Sequence, residues 1–168
     1  YKRQHVNGAI TLFSNLNIRI KEGELVALVG PSGTGKSSLL HLLALLDEPS
    51  QGKIILNNID TRKLTDIEKD EIRRRNISII FQDNNLLTDF TAIENVKMPL
   101  IIKNDNDDII LKKAEKILKD VKIFDRSNHF PNQLSGGEQQ RVAIARAIIS
   151  ETNIILADEP TGNLDYKT

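Results

Sequence analysis

Cysteine is absent from the 168 residues, which excludes a disulfide framework and any thiolate metal site. A reducing compartment is compatible with that absence. Net charge is absent too: 23 Lys and Arg balance 23 Asp and Glu, so no whole-molecule field draws the chain to nucleic acid or anionic lipid, and no nucleic-acid partner is expected. The only basic cluster, Arg73-Arg74-Arg75, reads as a solvated helix end. No apolar stretch approaches the ~18 residues needed to span a bilayer and no signal peptide opens the chain, so work at a membrane would need another anchor. The chain starts at Tyr1 rather than Met and stops at Thr168 soon after a motif-dense segment, from which we expect a domain cut short at its C-terminal side.

What is present is a core-forming composition, 39% hydrophobic, in a length that fits about one domain burying roughly 70% of its unfolded surface. The organising stretch is Gly30-Pro31-Ser32-Gly33-Thr34-Gly35-Lys36-Ser37, which fits G-x-x-x-x-G-K-[ST] at every fixed position. Before it, Leu25-Val26-Ala27-Leu28-Val29 is a continuous apolar run expected as a strand buried on both faces. After it, residues 36–46 carry six leucines around most of a cylinder and predict a buried helix. Strand, loop and helix in that order cradle a nucleotide's phosphates. Unpaired N–H groups and the positive dipole end face the loop, and the glycines let backbone close on an anion. Lys36 would reach the β- and γ-phosphates, and Ser37 would place its hydroxyl on Mg²⁺.

Residues 1–22 read as a small β region, with Leu16, Ile18 and Ile20 alternating as a half-buried strand would. Lys53-Ile54-Ile55-Leu56 is a short strand before an Asn57-Asn58 turn, and Thr65-Asp66-Ile67-Glu68 is a capping box opening a charged helix to about Arg74. A second buried strand ends at Gln82, whose amide can reach a metal or its water. Thr91 caps a helix that Pro99 is expected to end. Residues 107–121 are an amphipathic helix presenting Ile110, Ala114, Ile117, Leu118 and Val121, within a helical insertion.

Leu134-Ser135-Gly136-Gly137-Glu138-Gln139-Gln140 is the second motif. Ser135 and Glu138 form a capping box, and the glycines leave N–H groups open to an anion at the start of a helix to about Ile149. An ordinary capped helix is the alternative. One nucleotide cannot easily use two such ends of one chain, so a partner chain would supply the second. Ile154-Ile155-Leu156-Ala157-Asp158-Glu159 is a third buried strand ending in two acids, where open α/β sheets place their ligands. Asp158 would hold Mg²⁺, directly or through water, and Glu159 would orient and deprotonate the attacking water.

Together these motifs resemble the nucleotide-binding domain of ABC ATPases, in the right order over nearly the whole chain. Residues 30–37 resemble Walker A, Gln82 the Q-loop, 134–140 the signature motif, 154–159 Walker B, and Gly162-Asn163-Leu164-Asp165 the D-loop. The implied fold is α/β, a P-loop NTPase with a mainly parallel core sheet, an N-terminal antiparallel β region and a helical subdomain. Residues 1–82 would be the β region and P-loop core, 83–134 the helical subdomain, and 135–168 the signature helix, Walker B and D-loop. The resemblance also implies a head-to-tail dimer. Each ATP would lie on residues 30–37 with Ser38 of one chain and on Ser135, Gly136, Gly137, Glu138 and Asp165 of the other. Tyr1 would stack on adenine, and Lys36, Gln82 and Glu159 would be catalytic, with Ser37, Gln82 and Asp158 on Mg²⁺.

Phe90-Thr91-Ala92-Ile93-Glu94-Asn95-Val96-Lys97-Met98-Pro99-Leu100, His129-Phe130-Pro131 and the segment Leu156 to Asp165 resemble the LolD, MacB and FtsE group, with the Met98-Pro99-Leu100 ending most similar to the LolD branch. That implies an ATPase motor on the cytoplasmic side of the bacterial inner membrane, docked to transmembrane permease subunits and driving lipoprotein release. The alternative is an FtsE-like ATPase regulating cell division. Chromosome and repair ATPases share the motifs but separate them by a long coiled coil, whereas Ser37 and Leu134 stand about a hundred positions apart with no heptad run between. The family's switch histidine lies on a later strand. His5, His41 and His129 all precede it and suit structural or surface roles.

Overall fold

Antiparallel pairing opens the chain: β1 (Lys2–His5) and β2 (Gly8–Thr11) run with Lys2 opposite Thr11 and His5 opposite Gly8. The computed structural model describes residues 1–5, 8–103 and 106–162, and the chain divides into two compact units, Tyr1–Lys69 and Asp70–Thr168. In the first unit the helix after the glycine loop is α1 (Lys36–Leu43). A second antiparallel pair follows, β3 (Ile55–Leu56) and β4 (Ile59–Asp60), with Leu56 opposite Ile59. Asn57 and Asn58 join them with φ of 48° and 65°. Two consecutive left-handed residues match the twist of the flanking strands, and asparagine tolerates that region better than other side chains with a Cβ.

Three expectations for this unit are corrected. Residues 25–29 are not in a strand, and Leu25 and Val29 are fully exposed at 101% and 92%. Leu16, Ile18 and Ile20 likewise lie outside any strand and about half exposed. Apolar runs and alternation specify what a strand would bury, but a strand exists only where a neighbour takes its N–H and C=O groups, and these segments have no ladder partner among the described residues. The leucine-rich helix is also shorter than the pattern predicts. It ends at Leu43 and Leu45 turns left-handed at φ 57°, so Leu42, Ala44 and Leu45 are buried while Leu46 is half exposed.

Helix α2 (Asp66–Asn76) opens on the predicted box: the Glu68 carboxylate accepts from Thr65 N at 2.7 Å and Thr65 Oγ1 at 2.8 Å. Its arginine run is neutralised along its own surface, with Arg73 on Asp70 and Arg74 and Arg75 on Glu71. Arg75 is solvated as expected, whereas Arg73 and Arg74 are half-buried and Arg74 Nη1 also donates to Ile102 O at 3.1 Å.

The second unit packs helices around a parallel strand pair. β5 (Ile77–Ile80) and β6 (Ile154–Ala157) are paired in parallel, Ile77 against Ile154 through Ile80 against Ala157. Helices α3 (Ala92–Ile102), α4 (Asp107–Asp120) and α5 (Gly136–Ile149) share one core. Val96, Leu100, Ile110, Ala114, Leu118, Val142, Ala145 and Ile149 fill it. Alanines at 143, 145 and 147, all buried, keep α5 slim enough to approach its neighbours closely on more than one face. Pro99 does not end α3. The helix runs three residues past it, because a proline removes one helical hydrogen bond while burial of Leu100, 2% exposed, holds the next turn in place.

Candidate active site

The glycine loop is closed by its own lysine. Lys36 Nζ donates to the carbonyls of Gly30 and Pro31, each at 2.8 Å, and Thr34 Oγ1 donates to Pro31 O at 2.9 Å. Gly35, the N-cap of α1, has φ 92°. A Cβ there would stand 3.3 Å from both Leu12 Cβ and Phe13 Cδ1, close enough that these side chains would have to give by a few tenths of an ångström, so glycine is favoured by conformation first and by space second. Gly33 is left-handed too, at φ 81°. The first turn of α1 carries no acidic residue, so nothing opposes an anion at its positive end. Ser37 is exposed on the first turn of the helix and Ser38 half-buried beside it. Pro31 and Ser32 are exposed on the loop.

Tyr1 packs against Phe13, ring centroids 5.7 Å apart and tilted by 31°, and its hydroxyl meets the Asp47 carboxylate. His41 stands half-buried in α1 and His129 half-buried with Nε2 at 3.4 Å from Arg126 Nη1.

Gln82, Asp158 and Glu159 belong to the second unit, at the C-terminal ends of the parallel strands. Asp158 N donates to Ile80 O at 2.9 Å, which continues the ladder beyond Ala157 and fixes Asp158 at the rim of the sheet. Glu159 then turns left-handed at φ 46°, an unfavourable conformation for a residue with a Cβ and one that recurs at functional sites. Gly162 N returns to Glu159 O at 3.0 Å. The result is a close approach between residues distant in sequence: Gln82 Nε2 donates to Glu159 Oε2 at 3.1 Å. Beneath the strands Ser78 Oγ lies 2.6 Å from Ser150 Oγ and 2.7 Å from Thr152 Oγ1, a hydroxyl cluster that ties β5 to the segment entering β6.

The third element is the start of α5. Ser135 Oγ accepts from Glu138 N at 3.3 Å, and Glu138 Oε2 accepts from Ser135 N at 2.8 Å, the predicted capping box. The backbone bond from Ser135 holds the Glu138 carboxyl below its usual range, and the Arg126 guanidinium at 3.4 Å adds to this. Ser135 and Gly136 are exposed and Gly137 half-buried, so the turn is available to an anion from outside the helix. Asp165 lies outside the described residues.

The donor set fits a magnesium nucleotide. Left-handed glycines ahead of an acid-free helix end suit the phosphates. Among the described residues no group of three His, Cys, Asp or Glu side chains could hold a metal alone. The Ser37 hydroxyl suits a divalent ion that shares its shell with phosphate oxygens and water, as Mg²⁺ in phosphate sites does.

Sequence reasoning missed two polar residues that hold loops of this unit, one of them the turn that follows Gln82. Asn95, fully buried in α3, accepts from Leu87 N at 2.8 Å and donates to the carbonyls of Leu87, Phe90 and Thr91. Arg146 in α5 donates to Asn84 O at 2.7 Å and Asn85 O at 2.8 Å. A polar residue inside an apolar helical register was the available signal for Asn95. Arg146 had none, because its partners are backbone atoms.

The family model described as ABC transporter matches residues 13–162. The chain is 48% identical over 161 residues to the lipoprotein-releasing system ATP-binding protein LolD of Hyphomonas neptunium, covering 96% of this chain and 71% of that protein. It is 45% identical to the protein of the same name from Colwellia psychrerythraea, covering 99% and 65%. Among solved structures, the ATP-binding cassette MJ0796 in a dimeric post-hydrolysis state bound to ADP and Pi superposes with a TM-score of 0.93 at 45% identity, over 99% of this chain and 73% of that one.

Proposed function

The chain belongs to the ABC transporter family, and from that premise we infer that it is the ATP-hydrolysing motor subunit of a transporter that releases lipoproteins from the bacterial inner membrane. Similarity to LolD proteins along almost the whole chain supports the substrate. For the chemistry, the observation that carries the reading is the bond between Gln82 and Glu159 at the sheet rim.

In this reading residues 30–38 hold the phosphates through backbone N–H groups. Lys36 exchanges its two carbonyl partners for β- and γ-oxygens, and Tyr1 stacks on the adenine. Ser37, Gln82 and Asp158 hold Mg²⁺, which neutralises phosphate charge when bound. Glu159 accepts the proton of the attacking water. A carboxylate has two oxygens, so the bond from Gln82 to Oε2 orients the group and leaves the other oxygen for that proton. A second copy supplies Ser135, Gly136, Gly137, Glu138 and Asp165, in keeping with the dimeric cassette that the chain resembles. Residues 1–82 form the nucleotide core, 83–134 the helical subdomain and 135–168 the signature, Walker B and D-loop segment.

No helix of the described residues is long and apolar enough to cross a membrane. Attachment to the cytoplasmic face would therefore run through transmembrane permease subunits. Purification of the full-length protein from mildly solubilised membranes, with mass spectrometry of what accompanies it, tests this. Lipoprotein-releasing membrane subunits are expected, and a cell-division partner of the FtsX kind would overturn the substrate. Glu159→Gln should bind ATP, accumulate as a dimer and lose hydrolysis by about 10²-fold or more. Parental turnover in that variant would refute the catalytic assignment.

A further inference from the structure

We propose that Arg146 is a positioning residue for hydrolysis: from α5 it clamps the turn that follows Gln82 and so holds the Gln82 amide against Glu159. The inference rests on the ATPase reading above and adds a residue that acts at one remove from the reacting atoms.

Gln82 is exposed and leaves the end of β5 on an irregular segment. Nothing in the strand ladder fixes such a segment. Directly after it, Asn84 and Asn85 are both left-handed, at φ 60° and 44°, a conformation each residue with a Cβ adopts at a cost. Local bonds from Asn84 N to Phe81 O at 3.1 Å and from Asn85 N to Asp83 O at 2.6 Å tighten the turn. The turn then presents two consecutive carbonyls to one side, and the Arg146 guanidinium takes both, Nη2 on Asn84 O and Nη1 on Asn85 O. A planar fork with fixed donor spacing can bridge two carbonyls at once, whereas an ammonium is a point donor.

Burial gives the clamp its strength. Asn84 is 4% exposed, and desolvation lowers the pKa of Arg146 from its ordinary value. In that setting the charge-assisted bond to Asn84 O counts for more than one at the surface, and the exposed bond to Asn85 O fixes the direction of the fork. Because Arg146 lies on the helix whose first turn carries Ser135 and Glu138, the same rigid element bears the signature motif at one end and the restraint on Gln82 near the other. A displacement of α5 would be felt at Gln82 through those two carbonyls.

The test compares steady-state ATP hydrolysis by the full-length protein with Arg146→Lys, Asn85→Val, Gln82→Ala and the Arg146→Lys/Gln82→Ala pair. Asn85→Val acts at an exposed residue and disfavours the left-handed turn without touching the core. Arg146→Lys and Asn85→Val should each lower kcat by about tenfold or more with KM for ATP changed less than about twofold, as for a misplaced catalytic group. In the Gln82→Ala background Arg146→Lys should add less than about twofold, since its effect passes through Gln82. Arg141→Lys, which alters another α5 arginine bonded to the carbonyl of Val121, should leave kcat near parental.

Parental kcat in Asn85→Val, or a full multiplicative loss for Arg146→Lys without the Gln82 amide, overturns the proposal. Hydrogen exchange across residues 82–87 gives a readout that needs no turnover. Faster exchange in Arg146→Lys is expected even if the parent protein hydrolyses nothing, a result that would defeat the ATPase reading instead. Unchanged exchange would defeat the clamp.

Discussion

The side chains of Gln82 and Glu159 meet at 3.1 Å across 77 positions of sequence. Each stands just beyond one of two parallel strands, so the pair is set by the register that places Ile77 opposite Ile154. A slip of that register would separate them.

That contact predicts a pH effect. Gln82→Glu would face Glu159 with a second carboxylate, and like charges at this range favour the protonated form of one of them. A general base must be unprotonated to act, so the acid limb of the kcat profile should move to higher pH by about one unit or more. Gln82→Ala should lower kcat without moving that limb. The measurement is kcat against pH for the three proteins, and an unmoved limb in Gln82→Glu would separate Glu159 from proton transfer.

Asn95 should matter for stability more than any surface polar residue. Asn95→Ala leaves Leu87 N and Phe90 O without their side-chain partner, while Leu87 O and Thr91 O keep the backbone bonds from Phe90 N and from N of residue 95, and losses of this kind cost about 1–3 kcal/mol. Chemical denaturation should show the loss at unchanged slope. Loosening of residues 87–91 should appear as faster amide exchange.

Gln140 offers the opposite sign. It is fully buried in α5 and neither its Nε2 nor its Oε1 has a hydrogen-bond partner among the described residues. Gln140→Met keeps the length and removes the unpaired amide, so it should be neutral or stabilising by up to about 2 kcal/mol. A clear destabilisation in thermal unfolding would show that the amide is bonded, through water, in solution.

Acid should weaken the helix starts. The carboxyls of Glu68, Glu94 and Glu138 are all held below their ordinary value of 4.5, chiefly by hydrogen bonds from Thr65, Thr91 and Ser135. A folded-state pKa below the unfolded one contributes stability that is complete above the unfolded value and lost as pH falls through the folded one. Unfolding midpoints should therefore fall as pH drops below about 4.5. Glu138→Gln, which accepts the same bond without titrating, should show a shallower fall. An identical acid profile for that variant would remove Glu138 from the account.

What could be read in the chain differs from element to element. The glycine loop, the boxes at Thr65 and Ser135 and the asparagine turn depend on residues within a few positions of one another, and each forms as predicted. The strands at 77–80 and 154–157 were legible as apolar runs, yet an equally apolar run at 25–29 is exposed and outside any strand. Hydrophobicity alone does not distinguish these cases, because the distinction lies in a distant neighbour's backbone.

By itself the sequence determined the glycine loop ahead of α1, the helix starts and the acids at a strand end, since local sterics and short-range hydrogen bonds decide those. Tertiary structure decided that Gln82 meets Glu159, that Asn95 holds the loop at 87–91 and that Arg146 grips the turn at 84–85. The first and last of these join residues 77 and 61–62 positions apart, while Asn95 reaches back four to eight positions, and both Asn95 and Arg146 end on backbone carbonyls, which every residue possesses and no sequence pattern marks.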